Sequence, residues 1–270
     1  MRRRPPPVLQ LLSLVCLALL TPACAAQPIR VTRQPVTLHL VAAGSCQPWL
    51  ESAAEAYEAS RPWVTTKSQV LNSALAEDVL RESGADVAML SWVWDEGEES
   101  KGQLWTEGFA RDGVAVIVHP GLSIEGLELA ELREIFRGRL QERDGVRLVV
   151  VSREEGSGTR AAFEAVALGG ESATLNAVVV PSAESMVEYV ASTLGAIGYV
   201  STGRLGDGVR VVPVEGVRPT EASIADGSYP LSRQLYLATV GEPAGEAREF
   251  SQWVLRDGLA DVAGAGASDR

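Results

Sequence analysis

Residues 149 to 168 read Val149-Val-Val-Ser-Arg-Glu-Glu-Gly-Ser-Gly-Thr-Arg-Ala-Ala-Phe-Glu-Ala-Val-Ala-Leu168, and this stretch decides the fold. Val149, Val150 and Val151 form a short apolar β-branched run, which predicts a buried strand. Gly156 and Gly158 let the backbone turn tightly, and Phe163, Val166 and Ala167 begin a helical spacing. A strand therefore runs into the open N-terminus of a helix. The N–H groups of Ser157, Gly158 and Thr159 would lack intrahelical partners at the positive end of the helix dipole. Two hydroxyls beside them and the guanidinium of Arg153 suit a tetrahedral oxyanion. On spacing alone, an ordinary Ser/Thr cap after a glycine turn reads the same way.

Outward from this unit, strands and helices alternate, which favours an α/β architecture built on a parallel sheet. Val36 to Val41 is a first strand with Thr37, His39 and Val41 on one face and Val36, Leu38 and Leu40 on the other. Gly44 and Ser45 make a turn into a helix whose buried face carries Trp49, Ala53, Ala56 and Tyr57, and Pro62 stops that helix. A helix near Ala74 to Glu82 leads into a strand at Asp86 to Leu90. Residues 96 to 103, rich in Glu and Gly, form a surface loop. Val114 to Val118 is a buried strand, and Leu129, Leu132, Ile135 and Phe136 carry a helical core stripe. There is no internal repeat, and residues 263 to 270 read as a disordered tail.

The chain opens Met-Arg-Arg-Arg, and the apolar run Val8 to Leu20 is too short for a comfortable membrane span. Residues 1 to 26 therefore read as an export signal with its cleavage region. Cys24 is a candidate acceptor of a lipid anchor, with a soluble signal cut within Ala23-Cys24-Ala25-Ala26 as the alternative. Without the three arginines of that segment, 21 basic residues face 35 acidic ones, a net charge of −14. So acidic a body argues against nucleic acid and against an anionic membrane face as partners. An anion ligand remains compatible, because aligned N–H dipoles and one arginine in a closed cleft outweigh distant, screened carboxylates.

Of the three cysteines, only Cys46 belongs to the folded body, so no disulfide framework is implied. His39 and His119 are the only histidines and fit no ligand spacing, which makes a metal site improbable and leaves both as strand residues. No cofactor motif is present.

Five segments in this order resemble the phosphate-binding proteins of bacterial ABC transporters, a periplasmic binding protein family: Ala110 to Pro120, Leu127 to Gly138, Arg153 to Thr159, Gly195-Ala-Ile-Gly-Tyr-Val-Ser201, and Ile224 to Tyr236 with Arg218-Pro-Thr220 before it. The resemblance covers roughly residues 36 to 260. It implies a two-lobed Venus-flytrap fold, with residues 34–113 as the first part of lobe one, 114–212 as lobe two, and 213–262 returning to lobe one. The two chain crossings, near residues 113 and 212, would be the hinge. It further implies an extracytoplasmic, monomeric receptor that captures phosphate between the lobes and hands it to a permease, without catalysis. By matching positions, Arg153, Ser157, Gly158 and Thr159 of lobe two and Ser45 of lobe one would hold the anion.

Three lobe-one positions depart from the family. Cys46 stands where relatives carry a hydroxyl residue, so only its N–H is a good donor, and a lone cysteine is more commonly a buried filler. Asn72-Ser73-Ala74 replaces a glycine-rich turn, which leaves Ser73 as the candidate there. Ser91, followed by Trp92, stands where many relatives carry an Asp or a Ser-Arg pair. A cleft carboxylate accepts the proton of phosphate and repels sulfate, so its loss puts selectivity in question. Asp95 is a candidate replacement acceptor, while Trp92 and Trp94 read as packing or as indole donors.

Two other classes stay open. Ser157 could be a nucleophile, but it has no Gly-x-Ser-x-Gly elbow and no evident histidine partner. Alternatively the same fold could bind sulfate, molybdate or tungstate, or act as a sensor or interaction module.

Overall fold

The computed structural model describes residues 33–94 and 103–256, and its elements belong to a single compact unit that starts at Pro35. Expectations placed on residues 1–32, 95–102 and 257–270, including Cys24, Asp95, the Glu/Gly-rich loop and the tail, fall outside the described residues.

Strand β1 (Val36–Ala43) enters a 3-10 turn at Gly44–Cys46 and then helix α1 (Gln47–Ser60). There follow β2 (Val64–Leu71), α2 (Ser73–Arg81), β3 (Val87–Leu90), β4 (Leu104–Val118) and α3 (Leu129–Phe136). A small hairpin, β5 (Glu142–Arg143) with β6 (Val146–Arg147), precedes β7 (Val149–Arg153), α4 (Gly158–Ala167), β8 (Val178–Val180), α5 (Ala183–Ser192) and β9 (Ala196–Ser201). The described chain closes with a 3-10 turn at Thr202–Arg204, β10 (Arg210–Val212), α6 (Glu221–Ala225), β11 (Ser232–Val240) and α7 (Gly245–Arg256).

The main sheet runs β2-β1-β3-β11-β4-β9-β7-β8, with β10 added to β4. Within it β1 is parallel to β2 and β3, and β7 is parallel to β8 and β9, whereas β11 and β9 run antiparallel to β4. Helices cover both faces of each half. Around β1 and β3, Leu38, Leu40, Leu50 and Tyr57 pack on one face, and Val41, Ala76, Leu80 and Leu90 on the other. Around β7 and β9, Phe136, Phe163 and Tyr199 fill one face, and Val151, Met186 and Val190 the other. Strands enclosed on both faces read as continuous apolar runs, which is why Val114–Val118 is buried throughout.

Strand β4 joins the halves. Residues Leu104 to Gly113 pair with β11, and Val114 to Val118 pair with β9. The sequence had signalled only the second part, because Leu104 to Arg111 mixes polar and glycine residues and is half-exposed. The ladder with β11 holds that stretch extended in place of an apolar face. In α1 the buried residues are Leu50, Ala53, Ala54 and Tyr57, while Ala56 is exposed and Trp49 only half-buried. Val166, expected on the packed face of α4, is 41% exposed, and Ala162 takes its place beside Phe163 and Ala167. His39 lies within β1 as expected, but His119 sits just past the end of β4, where its Nδ1 accepts from the Gly121 N–H.

Candidate functional site

The strand-to-helix unit forms as its residues dictate. Val149–Arg153 is a strand, Gly156 takes φ +81°, and Ser157 caps α4 by accepting a hydrogen bond from the Arg160 N–H at 3.3 Å. At that φ an L side chain is strained, so glycine is required at 156. The N–H of Ser157 is engaged by the Glu154 carbonyl (3.3 Å), which leaves Gly158 and Thr159 as the first residues of the helix with no carbonyl behind them inside it. Of the three amides expected to lack intrahelical partners, the Ser157 N–H is taken by this turn, and those of Gly158 and Thr159 open the helix.

This helix end meets the other half of the molecule. The Ala74 N–H donates to the Gly156 carbonyl at 3.0 Å, and Asn72 caps α2 through its Oδ1 while its amide faces the Glu155 carbonyl. Ser73 and Ser91 are both buried, their hydroxyls 2.9 Å apart, and a Cβ placed on Gly158 would lie 2.3 and 2.4 Å from the two Oγ atoms. Only glycine allows the α4 terminus to approach this serine pair so closely. Ser73, Ser91 and Gly158, drawn from three separate stretches, thus form one cluster.

A cleft of about 420 Å³ lies beside this cluster, lined among others by Gly44, Ser45, Arg153, Thr159, Ser201 and Arg204. Ser45 is 8% exposed, and its Oγ has no protein partner. The Arg153 guanidinium is held by Glu154, with Nε and Nη2 donating to its carboxylate at 2.8 and 3.0 Å. Behind it the Arg153 N–H donates to the Tyr199 hydroxyl at 3.2 Å. That hydroxyl is 2.8 Å from Ser152 Oγ, and its ring stacks on Phe163 at 4.1 Å. Burial pushes the Tyr199 hydroxyl up to about 12, so it stays protonated and available as a partner.

Cys46 is fully buried in the turn before α1, and desolvation pushes its thiol up to about 12, with the Arg233 charge opposing the shift. A neutral, enclosed thiol is a packing group, so any contribution of this residue to a ligand would come through its N–H. Trp92 packs against the core beneath α4, and the Trp94 N–H faces Glu77 Oε2 at 3.4 Å. Packing therefore accounts for Trp92.

Four further buried or half-buried polar residues near the cleft, Asp112, Ser201, Thr202 and Arg233, were not among the residues expected at the site. Arg233 Nε and Nη2 donate to Asp112 Oδ2 at 3.0 and 2.6 Å, and Thr202 Oγ1 donates to Asp112 Oδ1 at 2.9 Å. Nη2 of Arg233 also reaches Thr159 Oγ1 at 3.2 Å. A signal existed: Leu231 just before β11, and Arg233, Leu235 and Leu237 within it, alternate and are all buried, and an arginine in an apolar register needs a partner. Among the described residues no cluster of His, Cys, Asp and Glu could hold a metal ion, and no helix is long and apolar enough to cross a membrane.

Residues 30–258 match the model of the PBP superfamily domain. The phosphate-binding protein PstS of Bacillus subtilis is 27% identical over 230 residues, covering 83% of this chain and 76% of that protein. A Clostridium perfringens structure with bound phosphate superposes with a TM-score of 0.75 at 27% identity, over 82% of this chain and 94% of the other. An ABC-type phosphate transport receptor from Vibrio cholerae gives 0.70 at 26% identity, over 84% and 96%. The resemblance read from the five segments holds, and with it the α/β, two-lobed architecture.

Proposed function

The chain belongs to the PBP superfamily, and from that premise we propose that it is an extracytoplasmic substrate-binding protein that captures inorganic phosphate between its lobes and delivers it to the permease of an ABC transporter. The observation that carries this reading is the convergence of donors from both halves. Thr159 at a helix N-terminus, the Arg153 guanidinium and the unpartnered Ser45 hydroxyl line one cleft, and Gly158 and the Ser73/Ser91 pair pack against each other next to it. Aligned amide dipoles, hydroxyls and a guanidinium are what a tetrahedral oxyanion requires. In this reading Ser157 contributes as the cap that opens the helix end, and Cys46 through its main chain.

The lobes are residues 34–113 with 213–262, and 114–212. Strand β4 supports the first crossing, since its pairing changes from β11 to β9 at Gly113/Val114. The function is binding without turnover. The Ser157 Oγ is engaged as a helix cap, a structural role that argues against nucleophile activation. Export through residues 1–26, with Cys24 as the anchoring residue, completes the reading.

The test is calorimetric titration of anion-stripped protein with phosphate, sulfate, arsenate, molybdate and tungstate, with thermal unfolding alongside. Phosphate at a hundredfold its dissociation constant stabilises the fold by about 2.7 kcal/mol. Binding of sulfate or a metal oxyanion in preference to phosphate would replace the ligand and keep the fold. That second outcome is favoured by the serine at position 91, where the family resemblance implies a carboxylate.

A further inference from the structure

Arg233 is 8% exposed, yet its Nη1 has no protein partner. Buried guanidinium N–H groups without acceptors are costly, so such a group calls for a partner, whether water, ion or ligand. The rest of the side chain is fixed: Nε and Nη2 are held by Asp112, and Asp112 is braced in turn by Thr202. Arg233 lines a smaller cavity of about 220 Å³ with Ser91 and Trp92, and it reaches the cleft of the anion site through Thr159. Nη2 lies 3.2 Å from the Oγ1 of Thr159, a residue that lines the cleft, and the Arg233 charge acts on Cys46 at the opposing turn. Ser201, next to Thr202, brings a second buried hydroxyl without a protein partner to the same cleft.

We propose that Arg233 is a second arginine ligand of the anion, donating through Nη1 while Asp112 holds its plane and balances its charge. The inference rests on the reading of the cleft as an oxyanion site. Asp112 is the buried carboxylate of this cluster, and its two oxygens already accept three hydrogen bonds, two from Arg233 and one from Thr202. It therefore serves as a counter-charge to Arg233 and not as an acceptor for a proton on the ligand. Two guanidinia, one from each half, would draw the halves together on the anion and make closure depend on its charge.

The experiment uses inorganic phosphate as the probe. Replacing Arg233 alone strands the Asp112 carboxylate, so the informative variant is the double substitution Arg233→Gln with Asp112→Asn, which keeps a neutral pair and removes both buried charges. Loss of one charge-assisted hydrogen bond corresponds to a phosphate affinity about 10- to 100-fold weaker. In parallel, the guanidinium resonances of the unaltered protein are followed by NMR, with the Arg233 signal assigned from the Arg233→Lys spectrum. A phosphate-dependent shift of that signal, with weakened binding in the double variant, is the expected result. Phosphate binding that is unchanged in a folded double variant, or an Arg233 signal indifferent to saturating phosphate, overturns the inference alone. Failure of the unaltered protein to bind any oxyanion instead overturns the reading of the cleft.

Discussion

Asp112 and Arg233 stand directly opposite each other in the β4–β11 ladder, their side chains 1% and 6% exposed and joined by two hydrogen bonds to a single carboxylate oxygen. The pair sits one residue before the point where β4 passes from one half of the sheet to the other. It ties the frame of the first half to Thr202 and Thr159 of the second.

Removing one member of this pair leaves an uncompensated buried charge. Asp112→Ala is expected to lower the unfolding free energy by about 3–5 kcal/mol. Urea denaturation compares it with the double variant Arg233→Gln/Asp112→Asn, which should lose markedly less. Equal losses would show that packing, not the stranded charge, sets the cost.

Gly158 has an ordinary helical conformation, so alanine there meets no backbone strain, only the Ser73 and Ser91 hydroxyls. Gly158→Ala therefore acts on the approach of the two halves. Phosphate affinity should fall by roughly tenfold or more, in line with the about 1–3 kcal/mol typical of overpacking. Titration calorimetry reads it, and an affinity matching that of the unaltered protein would refute this closed contact.

Arg153 lines the cleft with its guanidinium already oriented by Glu154. Arg153→Ala should cost about 2–5 kcal/mol of phosphate binding, appearing mainly as faster dissociation. Stopped-flow displacement of bound phosphate measures that rate directly. A variant whose dissociation rate is unaltered would remove Arg153 from the ligand set.

Tyr199 links the core to the site, since its hydroxyl meets Ser152 Oγ and the Arg153 N–H. Tyr199→Phe keeps the stack on Phe163 and strands both partners, at about 1–3 kcal/mol of stability. Thermal unfolding checks the loss. An unchanged midpoint would mean that neither partner depends on the hydroxyl.

Cys46 supplies a pH dependence whose sign follows from its burial. Its thiol titrates at 9.0 when unperturbed and is pushed up to about 12 in the fold, chiefly by desolvation. The stabilisation it gives is therefore complete below pH 9. It declines from pH 9 towards 12, as the unfolded chain ionises and the folded one does not. Unfolding free energies at pH 8 and pH 10, compared with those of Cys46→Ala, isolate this contribution; the substituted protein should lose less on going to pH 10. In the native state at pH 8 the thiol should also resist alkylation.

Much of this protein was legible without coordinates. The valine run at 149–151, the glycine at 156 and the Ser-Gly-Thr before an apolar helix specify their local structure through β-branching, positive φ and capping, all of which act within a few residues. Alternating elements of this kind dictate an α/β sheet, and five ordered segments pointed to a two-lobed binding protein. Long-range relations were not legible. That Leu104–Gly113 is strand depends on a partner more than a hundred residues away, and that Ser73, Ser91 and Gly158 converge depends on how the halves meet. Arg233 was visible as a residue, but only the ladder that sets Asp112 opposite it, with Thr159 and Thr202 within reach, turns it from an arginine in an apolar register into one member of a braced ion pair. Local conformation follows from each residue's own sterics and hydrogen bonding. The partners of a buried charge are chosen by the chain as a whole, because only tertiary packing brings them within a hydrogen bond of one another.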